Sequence, residues 1–216
     1  MRGEIMQKLW AEFLGTFLLL TAVVGSGIMA TNLTTDVGLQ LLINALSVVA
    51  MLAVIISVFA KVSGAHFNPA VSLYFAITGK LRPRELFSYL FAQTLGAIAG
   101  TLTANLMFQH KVFEISSQNR ASLGTFIGEV LATFGLLLVI SAKPENVSIS
   151  VPAWVGSAYF FTASTSFANP AVTIGRIFTN SFSGIAPQSV FGFISAQLLA
   201  VLLIKIMSRL FAEERV

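Results

Sequence analysis

The 216-residue sequence predicts an all-α membrane protein with six transmembrane helices and two re-entrant half-helices, arranged as an inverted 3+3 repeat. Three observations support this fold class: strong hydrophobicity, a duplicated Asn-Pro-Ala tripeptide and similarity between the two halves of the chain. The apolar fraction is 56% and the charged fraction is 10%, against about 25% charged residues in soluble domains. This composition leaves little room for a separate soluble domain.

Charge and cysteine content exclude several classes of function. The chain has no cysteine, which rules out disulfides, thiolate metal sites and cysteine nucleophiles. Its net charge of +4 is typical of the basic cytoplasmic loops of membrane proteins and does not require a nucleic-acid partner. Because the sequence carries no nucleophile, metal or phosphate motif, we expect a protein that is not an enzyme and that binds no cofactor or metal.

Apolar windows of about 20 residues predict the membrane spans. The spans are placed at 9–30, 38–60, 85–107, 122–142, 150–166 and 187–210. Ten basic residues then fall on the side of the N-terminus and three on the opposite side. The first group is Arg2, Lys8, Lys61, Lys80, Arg82, Arg84, Lys143, Lys205, Arg209 and Arg215, and the second is Lys111, Arg120 and Arg176. This asymmetry predicts that both termini are cytoplasmic.

The tripeptides Asn68-Pro69-Ala70 and Asn169-Pro170-Ala171 predict two helix starts inside the membrane. Asparagine is a good N-cap, and proline suits the first helical position. The apolar pieces that follow, 69–78 and 170–178, rise about 15 Å, which is half of a hydrocarbon core of about 30 Å. We therefore expect two half-helices that enter from opposite faces and meet at their N-termini.

Internal similarity extends beyond the tripeptides. The segment 11–17 is echoed by 128–134, and Ala-Gln at 92–93 returns at 196–197. We interpret 1–216 as one membrane domain with repeats at 1–110 and 120–216. Three spans in each repeat require opposite insertion, which places a site at the repeat interface near the midplane. The non-helical stretches 63–67 and 164–168 carry free carbonyls, which are tolerated at that depth when they line a wet cavity.

The segment 66–71, the second Asn-Pro-Ala, the paired Glu-x-x-x-Thr-Phe segments and the Ala-Gln pairs resemble the aquaporin and glycerol-facilitator (major intrinsic protein) family. The resemblance covers essentially the whole chain. It implies an aquaporin-like homotetramer in the lipid bilayer, in which each protomer passes water or small uncharged solutes and excludes ions and protons. It also implies that Asn68 and Asn169 offer their amides to solutes at the pore centre. The N-terminus of each half-helix, with about +0.5 charge, would repel cations there.

Three ionisable residues lie close to the predicted pore. Glu12 and Glu129 are embedded in apolar spans, where a charged group is costly and usually functional. They form either a proton-relay pair or, as the family resemblance implies, acceptors that fix the shape of a re-entrant loop. His66 resembles the family's histidine near the cytoplasmic side of the pore, and a simple packing role is the alternative.

The filter positions depart from the pattern of the water-selective family members, which place an arginine directly after the second tripeptide, opposite an aromatic residue and a histidine. By that comparison the filter here consists of Val48, Ser166 and Val172, with Ser157 or Tyr159 at the fifth-span position. We expect a wider and less polar constriction that admits solutes larger than water.

Arg176 lies four residues after Val172, on the same helical face and about 6 Å further toward the outer mouth. It either guards the outer vestibule, as a cation displaced by one turn, or reaches the membrane interface or the carbonyls of an outer loop.

The segment 165–173 most resembles a bacterial subgroup associated with arsenite and other neutral metalloid hydroxides. That resemblance implies a bacterial inner membrane and passage of arsenous acid, an uncharged triol similar to glycerol. Two alternatives remain open: a proton-coupled secondary transporter, and a structural membrane protein whose pore is closed.

Overall fold

The computed structural model describes residues 2–142 and 144–213, with side chains for 3–142 and 144–208. In these ranges the chain forms helices joined by turns and loops, without a strand. The helices are α1 (Arg2–Leu33), α2 (Val37–Ser63), α3 (Pro69–Ile77), α4 (Pro83–Met107), α5 (Leu123–Ser141), α6 (Val147–Phe161), α7 (Pro170–Gly175) and α8 (Pro187–Glu213). A short 3-10 turn, Arg176–Phe178, extends α7.

Among the described residues five helices, α1, α2, α4, α5 and α8, are long and apolar enough to cross a membrane. The fifth predicted span, 150–166, corresponds to α6, which has only 15 helical residues and rises about 22 Å. The prediction of 150–166 was therefore wrong at its C-terminal end, because the helix stops at Phe161. The Thr162 hydroxyl donates to the Ala158 carbonyl at 2.7 Å and accepts from the Ser166 amide at 3.2 Å. These hydrogen bonds compete with continued helix and start the loop that leads to α7.

The two predicted helix starts are confirmed. Each asparagine adopts an extended N-cap conformation and is followed by proline at the first helical position. The Asn68 side-chain oxygen accepts from the Ala70 amide at 2.8 Å, and that of Asn169 accepts from the Ala171 amide at 2.9 Å. The first piece is one residue shorter than predicted, because α3 ends at Ile77. The second piece ends at Phe178 as predicted, with its last three residues in the 3-10 turn that follows Gly175.

The helices pack closely around the half-helices. Helix α1 lies against α2 and α4, while α5 lies against α6 and α8. A Cβ atom at Gly96 or Gly100 of α4 would overlap the carbonyl oxygen of Phe13 or Phe17 of α1, so the two backbones touch at these glycines. Half-helix α3 packs on α4 and α8, and α7 packs on the same two helices. Each half-helix is thereby held in the interior.

The predicted orientation of the chain concerns residues that the structure covers only in part. Lys143 and Arg215 lie outside the described residues, and so do the side chains of Arg2 and Arg209. Cytoplasmic termini therefore stay a prediction from the distribution of basic residues.

Candidate solute pathway

A cavity of about 340 Å³ runs between the two sets of helices. Phe75 and Pro144 line one end, Arg176 lines the other, and Asn68 and Asn169 lie between them. Aliphatic side chains of α1, α2, α5 and α6 form most of the remaining wall. They include Leu19, Val23, Leu52, Ile56, Leu136, Ile140, Val151 and Val155. The cavity is thus a mostly apolar passage with a few polar groups at defined heights.

The two asparagines connect the half-helices to each other. The Asn68 Nδ2 donates to the Ala168 carbonyl at 2.7 Å, and the Asn169 Nδ2 donates to the Phe67 carbonyl at 2.8 Å. Each asparagine therefore binds the residue that precedes the other asparagine. A side-chain amide has two N–H donors, so each keeps one for the cavity.

The loops that lead into the half-helices share an unusual backbone. Phe67 and Ala168 have φ values of 49° and 46°, and Ala65 and Ser166 both have 51°. These are left-handed conformations at matching positions before each asparagine, and residues other than glycine adopt them rarely. Such strain persists only where the surroundings fix the backbone.

Glu12 is one of the groups that fix the first loop. Its carboxylate accepts the His66 amide at 3.0 Å and the Phe67 amide at 2.7 Å. The Ser63 hydroxyl donates to it at 2.6 Å, and the Gln93 side chain donates at 2.8 Å. Glu12 is fully buried and does not line the cavity.

Glu129 holds the second loop in the same manner. It accepts the Phe167 and Ala168 amides, each at 2.8 Å, and the Gln197 side chain at 2.6 Å. It is also fully buried and away from the cavity wall. These are the contacts that a loop-supporting role requires of both glutamates.

Gln93 and Gln197 carry a role that the sequence reasoning did not assign. Besides the glutamates, Gln93 donates to the Ser72 hydroxyl at 2.9 Å and Gln197 donates to the Thr173 hydroxyl at 3.0 Å. Each glutamine thus connects a supporting carboxylate to the first turn of a half-helix. The repeated Ala-Gln pair is the sequence signal for this role. A polar residue that recurs inside two apolar spans needs a hydrogen-bond partner in the interior.

His66 is both packed and open to the pathway. Its Nδ1 lies 3.0 Å from the Ser72 hydroxyl, and its ring centroid is 4.5 Å from that of Phe75. The Ser72 oxygen already accepts from Gln93, so its own proton is available to the histidine nitrogen. That arrangement suits a neutral imidazole with its proton on Nε2.

Three of the four predicted filter residues lie on the cavity wall, namely Val48, Ser166 and Val172. The Ser166 hydroxyl is buried and has no hydrogen-bond partner among the described residues. Ser157 is exposed on the outside of α6, whereas Tyr159 is buried and lines the cavity. Side chains two positions apart on an α-helix point in directions about 200° apart, so Ser157 and Tyr159 lie on opposite faces of α6. Of the two candidates, the structure therefore brings only Tyr159 to the pathway.

Arg176 lines the same cavity as Val172, one helical turn further from Asn169. Its side chain is buried, its Cζ lies 3.5 Å from the centroid of the Phe167 ring, and its Nε donates to the Ser183 carbonyl. Arg176 therefore does not reach for the membrane interface. It binds a carbonyl of the loop between the 3-10 turn and α8, and it also contributes to the cavity wall.

A second arginine, which the sequence reasoning did not single out, binds the same loop between the 3-10 turn and α8. Arg120 donates from Nε to the Gly184 carbonyl at 2.7 Å and from Nη2 to the Phe182 carbonyl at 2.8 Å. Its Cζ is 5.6 Å from the Phe167 ring centroid. Burial lowers the pKa of the Arg120 guanidinium from its ordinary value. Two cations thus flank Phe167, and neither forms an ion pair within the described part of the chain.

Comparison with known proteins places this geometry in a family. Residues 2–166 match the model of the major intrinsic protein family. The chain is 48% identical to aquaglyceroporin AqpS of Rhizobium meliloti (strain 1021) over 200 residues, which cover 91% of this chain and 86% of that protein. It is 37% identical to aquaporin NIP1-1 of Zea mays over 140 residues, covering 63% of this chain and 48% of the maize protein.

A solved structure supports the same assignment. The X-ray structure of the aquaglyceroporin from Plasmodium falciparum aligns with a TM-score of 0.72 and 26% identity, covering 93% of this chain and 94% of that one. Five long apolar helices lie in the part of the chain that the structure describes. The chain therefore belongs to the major intrinsic protein family and is an integral, multi-pass membrane protein.

Proposed function

We propose that this protein is a passive channel for water, glycerol and similar small uncharged solutes, and that it excludes ions and protons. The observation that carries the proposal is the cavity whose wall includes Phe75 at one end, Asn68 and Asn169 in the middle and Arg176 at the other end. The family membership and the aquaglyceroporin relatives support the same function.

We attribute the exclusion of cations to the helix N-termini at the centre of the pathway. The N-termini of α3 and α7 meet there, since each N-cap asparagine binds the loop of the other half. Each N-terminus contributes about +0.5 charge, which a neutral solute tolerates and a cation does not. The free N–H of each asparagine donates to a passing oxygen, so a water molecule at this point accepts two hydrogen bonds and relays a proton poorly.

The width of the pathway supports solutes larger than water. Val48 and Val172 are aliphatic, and neither reaches across the cavity as an arginine or an aromatic ring would. The polar groups at this level are Ser166, Tyr159 and, one turn further out, Arg176. We propose that these residues form the filter and outer vestibule. An uncharged solute with several hydroxyls can form hydrogen bonds with these polar groups, and its apolar part can contact the aliphatic wall.

Arsenous acid and other neutral metalloid hydroxides belong to the same class of solute, because arsenous acid is an uncharged triol at neutral pH. We therefore include them among the proposed substrates. The support is the aliphatic filter and the resemblance of residues 165–173 to a bacterial subgroup associated with arsenite and other neutral metalloid hydroxides.

The test is stopped-flow light scattering on proteoliposomes, with a sucrose shock for water and separate inward gradients of glycerol and arsenous acid. We expect all three to exceed the flux of protein-free vesicles. Val48→Trp should fill the cavity from α2 and reduce all fluxes, whereas Leu46→Trp, at an exposed position of the same helix, should not. Water and glycerol flux at the lipid background would refute the proposal. Arsenous acid flux at the background would remove only that substrate.

A proton-coupled transporter is the second candidate, because two buried glutamates lie near the pathway. Both carboxylates are occupied by backbone amides and neither lines the cavity, which favours the channel. Accumulation of glycerol against its gradient, driven by a pH difference, would favour the transporter. Absence of every flux, with the protein folded, would favour a structural protein with a closed pore.

We further propose that the protein is a homotetramer in a bacterial inner membrane, with both termini cytoplasmic. The family resemblance, the rhizobial relative and the distribution of basic residues support these statements. Native mass spectrometry tests the oligomer. Labelling of cysteines introduced at either end of the chain, with an impermeant reagent on whole cells, tests the orientation.

A further inference from the structure

A second cavity, separate from the solute pathway, lies at the membrane face where α1 and α4 begin and α2 ends. This groove has a volume of about 640 Å³. Its wall contains Lys8, Lys61, Arg82 and Glu85 together with Ile5 and Val62, and it shares no residue with the solute cavity.

The groove collects positive charge from three separate segments. Arg82 binds Glu85 through two hydrogen bonds of 3.0 Å, and Lys8 lies 3.7 Å from the same carboxylate. Lys61, in the last turn of α2, is exposed and forms no ion pair with the described residues. With Glu4 included, three cations face two carboxylates, so the groove retains one positive charge.

The border of the groove is apolar and continues along α2. Val62 is 42% exposed, and Val58 and Val54, one helical turn apart, are each 58% exposed. Ile5 of α1 is 40% exposed beside them. A positive groove at a membrane face with an apolar strip leading away from it matches the two parts of a phospholipid, whose phosphate lies at the surface and whose acyl chain points inward.

We propose that this groove binds the headgroup of an anionic phospholipid. The phosphate contacts Lys61 and Arg82, and an acyl chain lies along the valine strip of α2. Charge complementarity and the position at the interface select this occupant over a neutral lipid, since basic pockets between transmembrane helices attract anionic headgroups.

The bound lipid would act on the first re-entrant loop. Lys61 lies two residues before Ser63, whose hydroxyl donates to Glu12 and whose carbonyl accepts the Tyr89 hydroxyl at 2.8 Å. A phosphate shared by Lys61 and Arg82 connects the end of α2 to the start of α4. It therefore restrains the residues from which the loop to Asn68 begins.

The test measures lipid binding and requires no transport assay. Purified, delipidated protein is titrated with phosphatidylglycerol or with phosphatidylcholine of the same chains, and native mass spectrometry counts bound lipid while thermal unfolding is followed. We expect phosphatidylglycerol to bind more tightly and to raise the unfolding midpoint more. Lys61→Gln should weaken phosphatidylglycerol binding about fivefold, and a double variant with Arg82→Gln about twentyfold.

Two control variants keep the test specific. Arg84→Gln removes the same charge from an exposed position outside the groove and should leave binding nearly unchanged. Lys61→Arg retains the charge and should restore binding, which separates loss of the site from misfolding.

Several outcomes would overturn the proposal. Equal binding of the two lipids would do so, as would an equal loss in Arg84→Gln, which would indicate general surface attraction. The same stabilisation by inorganic phosphate alone would point to a free-anion site. A change of oligomer distribution in Lys61→Gln, with lipid binding intact, would identify the groove as a contact between copies of the chain.

Discussion

Replacing Glu129 with glutamine removes one acceptor from the support of the second loop. The carboxylate accepts the Phe167 N–H on Oε1, and it accepts the Ala168 N–H and the Gln197 amide on Oε2. The least damaging orientation of the introduced glutamine keeps its oxygen at the Oε2 position and points its NH₂ group at the Phe167 amide. One charge-assisted bond is lost and two donors face each other, at a cost of about 2–3 kcal/mol.

For a chain of this length that loss corresponds to a fall of about 5–10 °C in the unfolding midpoint. Thermal unfolding of purified Glu129→Gln protein in detergent measures the fall in the midpoint. Stopped-flow water flux shows whether the second loop keeps its conformation in the pathway. Glu114→Gln is the control, because Glu114 makes only a 3.9 Å surface ion pair with Lys111. A fall no larger than in Glu114→Gln, with flux unchanged, would refute the view that Glu129 fixes the loop.

Three further predictions concern other parts of the fold. Val172→Arg should narrow the filter and reduce glycerol flux about tenfold more than water flux, as measured by stopped-flow; an unchanged ratio would place the constriction elsewhere. Lys205→Met removes a 2.6 Å hydrogen bond to the C-terminal carbonyl of α3. It should lower the free energy of unfolding by about 2 kcal/mol in a denaturant titration. An unchanged free energy of unfolding would indicate that water replaces the lysine at this carbonyl. Gly96→Val inserts atoms against the α1 backbone and should cost about 1–3 kcal/mol or prevent folding, whereas Gly192→Val, which has open space, should leave the thermal midpoint within about 2 °C.

The sequence predicts the half-helices well because their signals are local. An N-cap asparagine followed by proline determines the start of a helix without reference to the rest of the chain, and both starts are observed at Asn68 and Asn169. The supporting role of the glutamates was stated as one of two alternatives, since a carboxylate in an apolar span needs partners that composition does not identify. The amides of the two loops are those partners.

The filter was harder to predict because it depends on register and on distant contacts. Ser157 and Tyr159 are two residues apart and therefore lie on opposite faces of α6. Which of them faces the pathway depends on the register of that helix, and the sequence left the end of the helix undetermined. Arg176 was left with several roles, and its position depends on the Ser183 carbonyl in a loop that no helical pattern describes. Arg120 carried no signal at all beyond being basic.

The reciprocal bonds between the asparagines and the opposite loops have a consequence for biosynthesis. The Asn68 amide needs the Ala168 carbonyl, which is 100 residues further along the chain. While the first half emerges from the ribosome, its half-helix has no partner for that amide, and its strained loop lacks the bond that Asn169 donates to the Phe67 carbonyl. The first re-entrant segment therefore reaches its final conformation only after the second is made. A chain truncated before Ala168 should leave residues near Asn68 open to proteases, and addition of the missing half in trans should protect them.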